Sequence, residues 1–145
     1  MILAERHPEA KLAPPPGGRC APAWYQWLAF LDQFARAALP LLVLSVRTSA
    51  QPEHPPFVRE ALRQKIEDAW SLVDAHLAAR GPYMLGAEFS GVDLLALTYM
   101  RWSRNMPRPV TDSGLALKTY ADRCCAAGRA GHGMYDIEGL TEWLA

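Results

Sequence analysis

Phe89-Ser90-Gly91-Val92-Asp93-Leu94 constrains this chain more than any other stretch, because nearly every start signal of an α-helix coincides there. Ser90 is placed as N-cap, with its hydroxyl available to the backbone N–H of Asp93. Asp93, three residues on, can return a bond to the N–H of Ser90, closing a capping box with Asp in the slot usually held by Glu or Gln. Phe89 before the cap and Leu94 at the fourth helical position are spaced as a hydrophobic staple. A negative charge in the first turn also suits the positive end of the helix dipole. The residues that follow, Val92, Leu94, Leu95, Ala96, Leu97, Tyr99 and Met100, are apolar almost all round. A helix starting at Ser90 without a polar face is expected to be buried in the middle of the fold.

The rest of the chain reads as further helices around that one. Trp24, Trp27, Leu28, Leu31, Phe34, Ala35, Ala38 and Leu42 recur at helical spacing and predict a helix from about Pro22 to Val46. Pro40 is expected to kink or divide it. The stretch 48–56 holds three prolines and reads as a loop. Val58, Leu62, Ile66, Ala69, Trp70, Val73 and Leu77 then give a second helix with one apolar face, closed by Arg80-Gly81-Pro82. A fourth helix is expected from about Asp112 to Ala126, carrying Leu115, Leu117, Tyr120, Ala121 and Cys124 and broken by Gly128, Gly131 and Gly133. No stretch alternates with period two. The expected fold class is an all-α bundle of about five helices.

Bulk properties narrow the function. The chain has 145 residues, half of them hydrophobic and 21% charged, which suits one globular domain with a sizeable core. Its formal net charge is zero and its cations are scattered, so no electrostatic footprint for nucleic acid exists. The longest uncharged apolar run, 37–46, is half of what a bilayer span requires and contains Pro40. Glu5 and Glu9 stand where a secretion signal would be basic and apolar. Three cysteines, two of them adjacent, make a poor disulfide framework. These features predict a reduced, cytoplasmic protein that binds neither nucleic acid nor membrane.

The cap and its setting resemble a known family. Pro82-Tyr83-Met84-Leu85-Gly86-Ala87-Glu88-Phe89 followed by the Ser90–Asp93 box is similar to the start of the central helix in the C-terminal domain of bacterial-type glutathione transferases. Gln26-Trp27-Leu28-Ala29-Phe30 resembles the first long helix of that domain, and Glu138-Gly139-Leu140 a near-terminal motif. Residues 1–13 resemble the end of the preceding thioredoxin-like domain and its linker, leaving 14–145 as the helical domain. Under this resemblance the glutathione site, with its thiol-activating Tyr, Ser or Cys, belongs to a domain that this chain lacks. A supporting His-Lys pair of one bacterial class falls on Ala35 and Arg36. The resemblance therefore implies a domain that is non-catalytic alone and acts as a binding or interaction module. The alternative is a truncated enzyme, or one completed in trans by a thioredoxin-like chain. No cofactor is expected, and glutathione enters as cosubstrate only if such a domain is supplied. Exposed helical faces imply a homodimer, formed through the first long helix and its neighbour. The resemblance places an apolar-substrate wall at Tyr25, Phe30, Phe34, Trp102 and Met106.

Other chemistry is thinly signalled. Ser90 and Asp93 are read as a capping box beside the Phe89–Leu94 staple, not as a catalytic pair. Cys124 and Cys125 point about 100° apart on a helix and cannot readily chelate one ion with His132, so no metal is expected. Cys20 reads as an ordinary exposed thiol. His7, His54 and His76 read as solvated, without acidic partners at a telling spacing, and Asp136 and Glu138 as a solvated turn.

Overall fold

A computed structural model of the chain describes residues 4, 6–47, 56–103 and 114–130, and for 35–47, 56, 59 and 127–130 the backbone alone. A 3-10 turn at Pro8–Ala10 precedes four α-helices: α1 (Ala21–Arg47), α2 (Pro56–Arg80), α3 (Gly91–Trp102) and α4 (Leu115–Ala130). Among the described residues there is no β-strand; Tyr83 and Gly86 form one isolated antiparallel bridge. The architecture is all-α, with four helices described where about five were expected. Met106, His54, His132, Asp136, Glu138 and the Glu138-Gly139-Leu140 motif lie outside the described residues.

Apolar residues three and four apart build the core. Trp24, Leu31 and Phe34 come from α1, and Ile66, Trp70, Val73 and Leu77 from α2. Val92, Ala96 and Met100 come from α3, and Leu117, Tyr120 and Cys124 from α4, with Met84 entering from the α2–α3 loop. Each set repeats at the 3.6-residue period, so each helix lays one stripe against the others. α2 packs against both α1 and α4, while α3 packs against α1 and α4 from the other side. The Phe34 and Trp70 rings meet edge to face at 5.2 Å where α1 crosses α2.

Two local expectations are corrected, and of the kink or division expected at Pro40 the division does not occur. α1 runs without division through Pro40. A single proline removes one N–H bond, and the many remaining bonds of a 27-residue helix sustain it. α4 begins at Leu115 and continues through Gly128 to Ala130. A helical glycine costs only about 1 kcal/mol relative to alanine, which weakens a helix without necessarily ending it. α3 is buried on one face only: Val92, Asp93, Ala96 and Met100 are inside, Leu94, Leu95 and Leu97 are half-buried, and Trp102 is exposed. Its main helix contacts are with α1 and α4, which leaves the rest of its surface half-covered or exposed.

Candidate functional site

Among the described residues the most elaborate polar arrangement is built around Asp93, whose side chain is fully buried. Its Oδ2 accepts from the Ser90 backbone N–H at 2.8 Å and from the Ser90 hydroxyl at 2.9 Å. Its Oδ1 accepts from the Met84 N–H at 2.8 Å and the Tyr120 hydroxyl at 2.9 Å. Four donors thus fill the four acceptor positions of one carboxylate. The capping box is present, with its strong half on the Asp93 side. The Ser90 hydroxyl spends its proton on the carboxylate, and the Asp93 N–H bonds the Ser90 carbonyl at 3.1 Å.

The surrounding loop is fastened from every side. Tyr83 and Gly86 exchange backbone bonds at 2.9 and 3.0 Å, a tight turn that needs Gly86 at φ +112°. That turn aims the Met84 N–H at Asp93, while the Met84 carbonyl accepts from His76 Nε2 at 2.9 Å. A carbonyl can only accept, so Nε2 carries the proton. Arg123 Nη1 donates to the Pro82 carbonyl at 2.9 Å. Phe89 stacks edge to face on Tyr83 at 5.7 Å, and both Phe89 and Leu94 are half-buried. From the N-terminal side, the Leu12 carbonyl accepts from the Gly91 N–H at 2.7 Å and from the Trp24 indole at 3.2 Å. One carbonyl therefore joins the segment before α1 to α1 itself and to the first turn of α3.

Burial sets the acidity of the neighbouring groups. Desolvation, reinforced by the negative charge of Asp93, drives the Tyr120 phenol far above its ordinary range. The same two causes push the Cys124 thiol up to about 12. Neither group is a ready nucleophile at neutral pH. Cys20 is exposed, Cys125 is half-buried, and all three thiols are free. Among the described residues no cluster of three or more His, Cys, Asp or Glu side chains could hold a metal ion.

The proposed apolar wall is divided by the structure. Phe34 belongs to the core at 7% exposure, and Phe30 is half-buried beside it at 5.7 Å. Tyr25 is 48% exposed and stacks on Trp24 at 5.0 Å, while Trp102 is 40% exposed and stacks on Tyr99 at 5.4 Å. Phe30 and Phe34 are thus brought together, whereas Tyr25 and Trp102 each pair with an aromatic outside the proposed set. A separate open groove of about 610 Å³ lies between the C-terminal half of α2 and the start of α4. Apolar Leu77, Pro82 and Leu115 line it together with Asp74, Thr119 and Arg123.

Several residues that hold this arrangement were not given that role from sequence. Asp74 Oδ1 accepts from the Leu117 N–H at 2.9 Å and so caps α4 from a different helix. The approach is so close that a Cβ at Gly114 would overlap the Asp74 carboxylate. Tyr120, Met84 and His76 complete the arrangement around Asp93 and its loop. His76 corrects the reading of solvated histidines: it is half-buried, with its ring 4.5 Å from that of Trp27. His7 is exposed as expected, but its Nδ1 does meet Glu9 Oε1 at 2.8 Å.

Comparison with known proteins gives no relative: no protein-family model, no curated protein and no solved structure matches the chain.

Proposed function

We propose that this chain is a helical binding module of the glutathione transferase C-terminal type, taking apolar small molecules or a protein partner without chemistry of its own. One observation carries the reading: the buried ionisable groups around α3 are committed to holding the fold. Asp93 has all its acceptor positions filled, and the Tyr120 and Cys124 protons are held by burial. A general base needs a free lone pair within reach of substrate, and a nucleophile needs a labile proton. By contrast, Tyr25, Phe57, Leu72, Trp102 and Leu115 present large apolar side chains to solvent. The order of the elements around the capped helix supports the family resemblance. Exposed Tyr25 on α1 and exposed Phe57 and Leu72 on α2 support a homodimer.

The test pairs binding with turnover. An environment-sensitive apolar dye should bind saturably, and glutathione with chlorodinitrobenzene should react no faster than without protein. Saturable, protein-dependent conjugation would overturn the non-catalytic reading.

A second reading, an enzyme completed by a thioredoxin-like domain or chain, draws on the Leu12 carbonyl. Its two hydrogen bonds hold the segment before α1 in register with α3, as a fixed junction between domains would require. Mixing the protein with a thioredoxin-like domain of a bacterial glutathione transferase tests it: conjugation present only in the mixture would favour this reading.

A further inference from the structure

We propose that the groove between α2 and α4 is a binding site for a small zwitterion, an ω-amino carboxylate whose two charged ends are joined by an apolar chain. This deepens the binding-module reading above and rests on it. The groove volume of about 610 Å³ lies within the range of small-molecule pockets. Of its lining residues only Asp74 and Arg123 are charged, and they stand at opposite ends. Asp74 meets the Leu117 N–H in the first turn of α4, and Arg123 meets the Pro82 carbonyl just past the end of α2. Leu117 and Arg123 lie about 9 Å apart along the helix axis.

Each charge has one structural task and keeps capacity for a second. Asp74 caps α4 with Oδ1, which leaves Oδ2 to accept. Arg123 spends Nη1 on Pro82, and a guanidinium carries further donors on its other nitrogens. Between the two ends the side chains offer a ligand no proton. Thr119 Oγ1 donates to the Leu115 carbonyl, the Tyr120 hydroxyl is turned inward to Asp93, and Leu77 and Ala78 are apolar.

An anion, an apolar middle and a cation in that order select the ligand. A plain fatty acid pairs its carboxylate with Arg123, but its tail then strips water from the Asp74 carboxylate. A plain amine paired with Asp74 does the same to Arg123. Desolvating a charge without a counterion is costly, so each single-ended ligand gives back part of what its apolar chain gains. A zwitterion with its ammonium at Asp74 and its carboxylate at Arg123 pairs both ends, and the carboxylate fits the guanidinium fork. A peptide of the same span would bring its own N–H and C=O groups into the middle, where no side-chain donor meets them. A methylene chain brings none. The groove is open, so a dissociation constant of about 0.1–1 mM is expected.

Nitrogen–proton NMR correlation spectra of the labelled full chain test the site. The probes are the ω-amino carboxylates from aminobutyrate to aminodecanoate, with octanoate and octylamine as single-ended controls. The Leu117 and Thr119 amides and the Arg123 side-chain N–H should shift saturably. Affinity should pass through a maximum within the series, because the two charges fix the length, and the best member should bind at least about threefold tighter than either control. Asp74→Asn keeps an oxygen to cap α4 and should erase the preference over octanoate; Arg123→Gln should erase the preference over octylamine. Affinity that climbs steadily with chain length, or shows no preference for two charged ends, would overturn the zwitterion site. No shift at these residues while an apolar dye still binds would overturn this site and leave the module reading standing. Absence of dye binding as well would overturn both. If a variant fails to fold, the probe series on the unsubstituted protein decides the matter by itself.

Discussion

Asp93→Asn is the sharpest probe of what holds the helices together. The substitution keeps size and shape but turns one acceptor oxygen into a donor NH₂. If the amide nitrogen faces Met84 and Tyr120, the hydroxyl can turn and accept, but the Met84 N–H is left facing another donor. If it faces Ser90, the serine hydroxyl can turn, but the Ser90 N–H is orphaned. Either way one buried backbone N–H loses its acceptor, at about 1–3 kcal/mol. The remaining bonds also lose their charge assistance. The sum is about 3 kcal/mol, a large share of the ~5–15 kcal/mol typical of a domain. Urea unfolding followed by tryptophan fluorescence should read it well, since Trp24 and Trp70 are both buried. Tyr120→Phe should cost about 1.5 kcal/mol. The pair should couple by about 1 kcal/mol or more in a double-mutant cycle, because both changes act on Oδ1. If Asp93→Asn fails to fold, Ser90→Ala, at about 1 kcal/mol, gives a milder reading of the same cap. Folded Asp93→Asn within 1 kcal/mol of the parent, or strict additivity with Tyr120→Phe, would refute the reasoning.

Gly114→Ala should destabilise by about 2 kcal/mol through overlap with Asp74, and Asp74→Ala by about 1 kcal/mol through loss of the α4 cap. The double variant should cost less than the sum, as chemical denaturation would show. Alkaline unfolding follows from the raised acidities: the unfolded chain releases the Cys124 and Tyr120 protons near their ordinary values of 9.0 and 10.0, while the native state keeps them. Stability should therefore be full below pH 9 and fall as pH rises beyond it, more steeply above pH 10. Tyr120→Phe should remove most of the added steepness in urea midpoints measured against pH, with Tyr99, also raised by burial, keeping the rest. Thiol titration with a chromogenic disulfide should label Cys20 at once and Cys124 only at the rate of unfolding, with all three thiols reacting in denaturant.

What was legible in the sequence was what is local. The Ser90–Asp93 box spans four residues, and the apolar periods of α1 and α2 run far enough to declare themselves. Bonds made across the fold were not legible: Tyr120 reaches Asp93 over 27 positions, and Asp74 reaches the Leu117 N–H over 43. A hint existed in each case. Tyr120 lies between Leu117 and Cys124 on the inward stripe of α4, and a buried phenol needs a hydrogen-bond partner. Asp74 follows the core residue Val73 and precedes Leu77, an unusual neighbourhood for a carboxylate with no task. Pro40 and Gly128 misled because intrinsic propensity is a weak prior that a long helix overrides. In the aromatic set, side-chain type alone could not separate Phe34, which faces Trp70, from Tyr25, which faces solvent.

Initial rates of thioether formation test the central claim, a helical module that binds without reacting, most directly. The protein is titrated into glutathione and chlorodinitrobenzene while displacement of a bound apolar dye is followed in the same samples. The account predicts saturable dye binding with a rate that stays at the protein-free value at every protein concentration. A rate that rises in proportion to protein and saturates with glutathione would contradict it.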